Sequence, residues 1–508
     1  MRTISFRPVR SLLPGLLLFV VSLAVFGAIL FAAPGFMGTD DYYHARISQQ
    51  IVEQRRLAVD FTWLPYTLLS PDRYVDHHLL FHLYLAPWVS LDEMAGAKLA
   101  VATIAALNVV MVWVLLRSLQ VKLPALWALG LLGVSTPFIS RMLMVRTQGA
   151  SLLLLLIALY LLLHKHYRWL LVLAFLYAWL YNGFVLILAF AALYTLATWI
   201  TERTFDWQPV IYTTVGLALG LIINPYFPRN FQFIAEHLGA KISFESGVRV
   251  GNEWYPYQTG TLLTNSAGAL LALTLGVLRP GVGGKRDRIA TTLLLVALLT
   301  LYMVFKSRRF IEYFPAFALL FCAVSWGRDT AALATLLPGP LSRQRLAATL
   351  GTISLTAIIL LFGGLTISDA YTRSLDRKPV SLFAGASAWL AEHAPAGATV
   401  FQTDWDDFPR LFFYNPGNTY IAGLDPTYLE RADPALWTTW RAITRGEVAA
   451  PSAEIFSTFG AQFVVSDTRH GDFAAQADAD PAMRMVYRDS DSIVWEILPE
   501  VLARANQP

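Results

Sequence analysis

The sequence predicts a polytopic α-helical membrane protein, with about eleven transmembrane helices followed by a C-terminal α/β domain outside the membrane. Three observations carry that expectation. Hydrophobic residues make up 56% of the 508 and charged residues only 15%, far too little charge for a soluble protein of this length. Uncharged apolar stretches, several long enough to cross a hydrocarbon core of roughly 30 Å, recur through residues 1–367. Residues 368–508 lose that pattern and alternate short helical and extended runs, in a segment long enough for its own core.

The elements follow in order. Ser11 to Ala32 carries no charge and exceeds the 7–15 residue core of a cleavable signal peptide, so it reads as a retained helix. Arg2, Arg7 and Arg10 precede it and favour a cytoplasmic N-terminus. Ten further apolar stretches run over 94–116, 124–138, 148–163, 169–182, 184–200, 209–224, 262–278, 289–305, 310–326 and 346–367. With the N-terminus inside, Arg117/Lys122, Lys165/Arg168, Arg203, Arg279/Lys285/Arg286/Arg288 and Arg328/Arg343/Arg345 fall on the cytoplasmic side, as the positive-inside bias requires. The basic residues come in short clusters rather than a long tract, which argues against nucleic acid as a partner. Cys322 stands alone in an apolar stretch, so no internal disulfide forms.

An odd number of crossings sends three pieces outward. They are the loops 34–93 and 225–261 of a membrane domain spanning 1–367, and the tail domain 368–508. In the tail, Ser381–His393 and Asp406–Tyr414 read as helical, while Thr399–Thr403, Thr419–Ala422, Gln462–Ser466, Met483–Arg488 and Ser492–Ile497 read as extended. The localisation that follows is a cell inner membrane, multi-pass, with the tail on the periplasmic side.

The first outer loop opens with Gly38-Thr39-Asp40-Asp41-Tyr42-Tyr43-His44. Acidic side chains cost roughly 2.5–3.5 kcal/mol at a membrane helix centre, so a pair just beyond the first span sits at the membrane surface. Carboxylates fixed there can act on a substrate held by a lipid tail. Adjacent residues diverge by about 100 degrees on a helix, so both meet one ligand only in a loop or at a helix start. Asp41 is then the candidate cap of a helix beginning at Tyr42.

This motif resembles the first acidic motif of GT-C glycosyltransferases, and is most similar to that of the oligosaccharyltransferase catalytic subunit, including the single-subunit bacterial and archaeal enzymes. The resemblance implies a membrane enzyme that moves a sugar or glycan from a polyprenyl phosphate or diphosphate to a protein, lipid or polysaccharide acceptor. It places Asp40 on the catalytic carboxylate and Asp41 on a position that varies, with Tyr43 and His44 beside the substrate. Ser307-Arg308-Arg309-Phe310-Ile311-Glu312-Tyr313 resembles the family's donor-phosphate element, and guanidinium suits phosphate independently, through paired, permanently charged donors. Thr403-Asp404-Trp405-Asp406-Asp407-Phe408 resembles the acceptor motif in part, which points to Trp405 and Asp406. Bottom-up, Asp404 or Asp406 is also placed to cap the next helix. Glu253, in Gly251-Asn252-Glu253-Trp254-Tyr255-Pro256, resembles the acidic residue of the family's external loop.

One departure concerns metal. The family's second acidic motif would fall near Ser140-Arg141-Met142-Leu143-Met144-Val145-Arg146, which holds arginines and no carboxylate. A divalent cation, Mg²⁺ or Mn²⁺ held by Asp40, is what the resemblance implies, and the missing motif argues against it. Arg146, with Arg141, suits phosphate instead or anchors the membrane interface. Asp76, His78 and His82 lack metal-ligand spacing on one helical face. Two other readings stay open: a flippase or transporter of lipid-linked sugars, disfavoured because the predicted helices hold almost no charge, and a non-catalytic glycolipid-binding relative.

Overall fold

The computed structural model describes residues 12–242, 251–279, 286–328 and 341–505. Arg2, Arg7, Arg10 and Lys285 lie outside the described residues. The chain divides into two compact units, each built from three segments. A helical unit takes Met1–Ala33, Lys98–Leu221 and Glu253–Asp376, and a mixed unit takes Pro34–Ala97, Ile222–Asn252 and Arg377–Pro508.

In the helical unit every apolar stretch expected from the sequence contains a helix. Among the described residues six helices are long and apolar enough to cross a membrane singly: Leu13–Leu30, Glu93–Ser118, Asn182–Glu202, Thr259–Leu278, Arg288–Lys306 and Thr349–Leu375. Helices Gln148–Leu163, Arg168–Leu180, Gln208–Ile222 and Phe314–Gly327 are apolar but shorter. The chain is therefore a multi-pass membrane protein. The expected straight span over 124–138 is instead a bent pair, Pro124–Leu132 and Thr136–Met142, turned by 88°. Hydropathy does not encode that break, which has one local cause and one tertiary cause. Ser135 leaves the helical conformation and caps the second helix by accepting from Phe138 N at 3.3 Å. Gly133 lies so close to a neighbouring helix that a Cβ there would meet Gly363 N at 2.8 Å.

Helix Gln208–Ile222 packs through Gly216 and Gly220, four residues apart on one face. A Cβ would meet Leu171 O at 2.2 Å from Gly216 and Phe175 O at 2.7 Å from Gly220. In lipid, where no hydrophobic force drives helices together, small residues permit the close backbone approach that does. Trp179 Nε1 donates to Gly220 O at 2.9 Å and fixes the same crossing. Two charged groups are buried in predicted helices after all: Lys98, 2% exposed, which donates to Ala33 O at 2.8 Å, and Glu312, which is fully buried.

The mixed unit centres on a five-stranded sheet. Its strands are β1 (Thr399–Gln402), β2 (Thr419–Tyr420), β3 (Phe463–Asp467), β4 (Met483–Arg488) and β5 (Ser492–Ile497), in the order β2-β1-β3-β5-β4. β1 pairs parallel with β2 and β3, whereas β5 runs antiparallel to β3 and β4. Each strand falls where the alternation predicted one. Phe401, Val464 and Trp495 from the sheet pack with Trp440, Ile455 and Phe473 from the helices over it.

Segments far apart in sequence complete this unit. Helix Asp40–Gln54 lies on helix Phe408–Tyr414, with Tyr42 edge-on to Phe413 at 5.2 Å and Arg46 Nη2 donating to Phe413 O at 2.8 Å. Trp63 Nε1 donates to Pro416 O at 2.7 Å, and Tyr66 OH to Phe459 O at 2.6 Å. Helix Arg229–Ile242, in a segment expected as loop, is held by Arg431 Nη1 donating to Glu236 O at 2.9 Å.

At the end of β3, Asp467 accepts from Arg469 N at 2.9 Å and His470 Nδ1 at 2.7 Å. Burial works to raise the Asp467 carboxyl, but the bonds from His470 and Arg469 outweigh it and hold the group well below the usual carboxylate range. A depressed folded value stabilises the fold above the unfolded pKa of about 3.9 and ceases to do so as pH falls towards the folded one. Asp467→Asn is expected to lower the melting temperature in detergent at pH 7, with the difference from wild type shrinking below pH ~4. Gly216→Val is expected to force its helices apart at about 1–3 kcal/mol. Gly351→Ala, inside a helix where a Cβ meets nothing within 4 Å, is expected to leave the melting temperature unchanged or raise it slightly in the same assay.

Candidate functional site

The sequence-predicted residues fall into two groups, one in each unit. In the mixed unit, helix Asp40–Gln54 begins earlier than a cap at Asp41 requires. Its N-cap is Thr39, without a side-chain cap bond, so Asp40 and Asp41 occupy the first two helical positions. The helix dipole and unsatisfied N–H groups there favour negative charge. Asp41 is fully buried and turns back to accept from Gly38 N at 2.9 Å, whereas Asp40 stays half-buried. The two carboxylates thus have different tasks: one braces the turn and the other retains access.

The tail motif comes to the same place. Asp406 Oδ2 accepts from Thr39 Oγ1 at 3.4 Å and faces Lys378 Nζ at 3.6 Å. The helix carrying Asp40 therefore starts beside the tail residue singled out on resemblance. Asp404, rather than Asp406, does the local capping, accepting from Asp406 N at 3.1 Å. Trp405 is half-buried against the core of the sheet. Burial, with Asp404 and Asp467 near, pushes the Asp407 carboxyl well up, and its Oδ2 has no hydrogen-bond partner.

Tyr43 and His44 turn inward. Tyr43 OH shares a hydrogen bond with Tyr74 OH at 3.1 Å. His44 Nδ1 lies 2.7 Å from His82 Nε2, and His82 Nδ1 lies 2.7 Å from Asp76 Oδ2, so a buried chain runs Asp76–His82–His44. Neither a metal site nor the donor-facing stretch that the resemblance implies from Asp76 to Phe81 anticipates the link of Asp76 and His82 to His44. The signal was the position of His44, one helical turn beyond Asp40.

In the helical unit three guanidinium groups converge on Glu253. Its Oε2 lies 3.0 Å from Arg141 Nη1 and 3.4 Å from Arg146 Nη1, and its Oε1 lies 3.4 Å from Arg309 Nη1. Arg141 Nε also donates to Glu312 Oε2 at 3.0 Å. The Arg309 guanidinium stacks on Trp254 at 4.3 Å from the ring centroid. Burial alone would raise the Glu253 carboxyl, but Arg309, Arg141 and Arg146 together hold it far below the carboxylate range. Glu312 goes the other way: burial raises it more than Arg141 and Arg309 lower it. Three permanent positive charges thus face one firm negative charge and one weakened one, and the cluster is net cationic. Arg308 does separate work, donating to Tyr255 O at 3.2 Å and Pro256 O at 3.3 Å and so pinning the loop that bears Glu253. Glu312 belongs to the element whose resemblance singled out the arginines, and an acid between Ile311 and Tyr313 is the signal of a buried pair.

Among the described residues no three His, Cys, Asp or Glu side chains gather as a metal-binding group, and Glu253, the further carboxylate the sequence offered, is engaged by guanidinium.

No family model and no curated protein matches this chain by sequence. Among solved structures it superposes on the Archaeoglobus fulgidus oligosaccharyltransferase in its apo form with a TM-score of 0.64, at 12% identity over 92% of this chain and 71% of that one. The chain has the GT-C fold. ArnT from Cupriavidus metallidurans, solved bound to undecaprenyl phosphate, shares the fold with a TM-score of 0.58 at 17% identity, over 96% of this chain and 98% of that one. The mycobacterial arabinofuranosyltransferase AftD shares it with a TM-score of 0.58 at 15% identity, over 95% of this chain and 41% of that one.

Within the GT-C fold of this chain, the Arg141–Glu312 pair is open to a direct test. Removing one partner of a buried ion pair costs about 3–5 kcal/mol, because it strands the other charge. Arg141→Met is expected to lower the melting temperature more than the double variant Arg141→Met/Glu312→Leu. A double variant no more stable than Arg141→Met would contradict the assignment.

Proposed function

We propose that this chain is a GT-C glycosyltransferase that transfers a sugar or glycan from a polyprenyl phosphate or diphosphate donor to an acceptor on the periplasmic side of the membrane. The observation that carries this reading is the net-cationic arginine cluster around Glu253. Guanidinium groups bind phosphate oxygens through paired charged donors and stabilise the charge that develops as phosphate departs. Arg309, Arg146 and Arg141 hold the donor phosphate, and Arg308 fixes the loop beside them. The ligands in solved structures of the same fold support a lipid-phosphate donor: undecaprenyl phosphate with ArnT, and dolichol phosphate with the archaeal oligosaccharyltransferase AglB.

Asp40 is the general base. Its half-exposed carboxylate takes the proton of the acceptor nucleophile as that atom bonds to the anomeric carbon and the bond from that carbon to the phosphate oxygen breaks. Asp406, beside Thr39, orients the acceptor, and Asp41 keeps the turn in shape. The Asp76–His82–His44 chain fixes the helix from its buried side.

General-base catalysis contributes roughly 10²–10⁴-fold. Asp40→Asn is expected to cut transfer by about that factor while leaving undecaprenyl phosphate binding intact, whereas Arg309→Ala weakens both. The measurement is transfer from a panel of polyprenyl-linked sugars by purified protein, read by mass spectrometry. Full turnover by the Asp40 variant would overturn the mechanism.

A further inference from the structure

We infer that the carboxylate of Glu253 is the resident counter-ion of the donor-phosphate site, filling the arginine cluster when no donor is bound and giving way to the phosphate when it arrives. The inference rests on the phosphate role proposed above for the same arginines and adds a competitor built into the chain.

Geometry supports displacement rather than permanent pairing. Of the three contacts that Glu253 makes to guanidinium, two are 3.4 Å long, well beyond the 2.7–2.9 Å of a strong charge-assisted bond. Donors also outnumber the acceptor atoms offered to them: Arg309 Nε and Arg141 Nη2 are buried without a hydrogen-bond partner. A planar carboxylate has two oxygens with which to answer three guanidinium forks. A tetrahedral phosphate presents its oxygens in more directions and can reach donors that Glu253 leaves over.

Although its backbone is tied down, Glu253 carries the most exposed side chain of the four. It sits in a three-residue turn, Asn252–Trp254, and its side chain is 27% exposed, against 10% for Arg141, 14% for Arg146 and 11% for Arg309. Glu312, at 0%, is the permanent partner of Arg141. A proton-transfer role for Glu253 fits poorly, since a carboxyl held so low is a weak base. The same depression keeps it ionised at any working pH, so it always competes. The consequence is selectivity: only an anion that engages the guanidinium groups better than a carboxylate takes the site, which disfavours carboxylates and neutral lipid headgroups.

The test is binding of undecaprenyl phosphate to the full-length protein in nanodiscs, for wild type, Glu253→Gln and Arg309→Ala. Glu253→Gln keeps the shape and removes the competing charge, so binding is expected to tighten about tenfold, while Arg309→Ala weakens it. Unchanged or weaker binding by Glu253→Gln, with Arg309→Ala still impaired, overturns the counter-ion role and leaves the phosphate site standing. Equal binding by wild type and Arg309→Ala overturns the phosphate site itself. A second measurement uses the wild type alone. Amide hydrogen exchange over residues 252–257 is expected to speed up when undecaprenyl phosphate binds and releases Glu253. Stronger protection there would count against release.

Discussion

Three guanidinium groups held close together repel one another unless anions lie between them, and much of the helical unit is arranged around that requirement. Arg141 and Arg146 flank the short chain after the bent helix pair, and Arg309 sits in the turn between helices Arg288–Lys306 and Phe314–Gly327. Glu253 answers all three from a loop. The loop is tied to the turn at several points: Ser307 Oγ donates to Glu253 O at 2.8 Å, Arg308 N to Tyr255 O at 3.1 Å, and Trp254 lies under the Arg309 guanidinium. Arginine is the only side chain whose charge survives such burial without titrating. Lysine in its place would lose both the charge and the planar stack.

The mixed unit meets the opposite problem, which is carboxylate crowding. Asp404, Asp406 and Asp467 all press on Asp407, and each of the four is given a different answer. Asp404 caps a turn, Asp406 faces Lys378, and Asp467 takes bonds from Arg469 and His470. Asp407 is pushed toward its neutral form. Asp40, Asp404 and Asp406 are each half-buried and so keep contact with solvent, whereas Asp407 and Asp467 are buried.

The apolar helices were legible because hydropathy and length report burial directly, and helix Gln148–Leu163 falls on its predicted ends. The strands were legible from alternation, with β4 and β5 matching residue for residue. What escaped were relations between distant residues. Nothing near Arg141 points to Glu312, 171 positions away. His44 and His82 are 38 apart on different helices. The break at residues 130–135 depends on backbone contact with Gly363, which no local pattern encodes. The split of Arg308 from Arg309 was equally hidden, since neighbours of one type diverge in role only when their side chains point to different partners.

The pairing of the first loop with the tail has a consequence for how the protein is made. Thr39 and Asp406 touch across 367 positions, as do Arg46 and the Phe413 carbonyl. Ribosomes emit the chain in order, so the early acidic turn emerges long before the residues that brace it. Until synthesis nears its end, Tyr42 lacks the ring of Phe413 that it packs on. A nascent chain interrupted midway would therefore carry its acids in an unfinished setting, and competence would arrive only with the last quarter of the polypeptide.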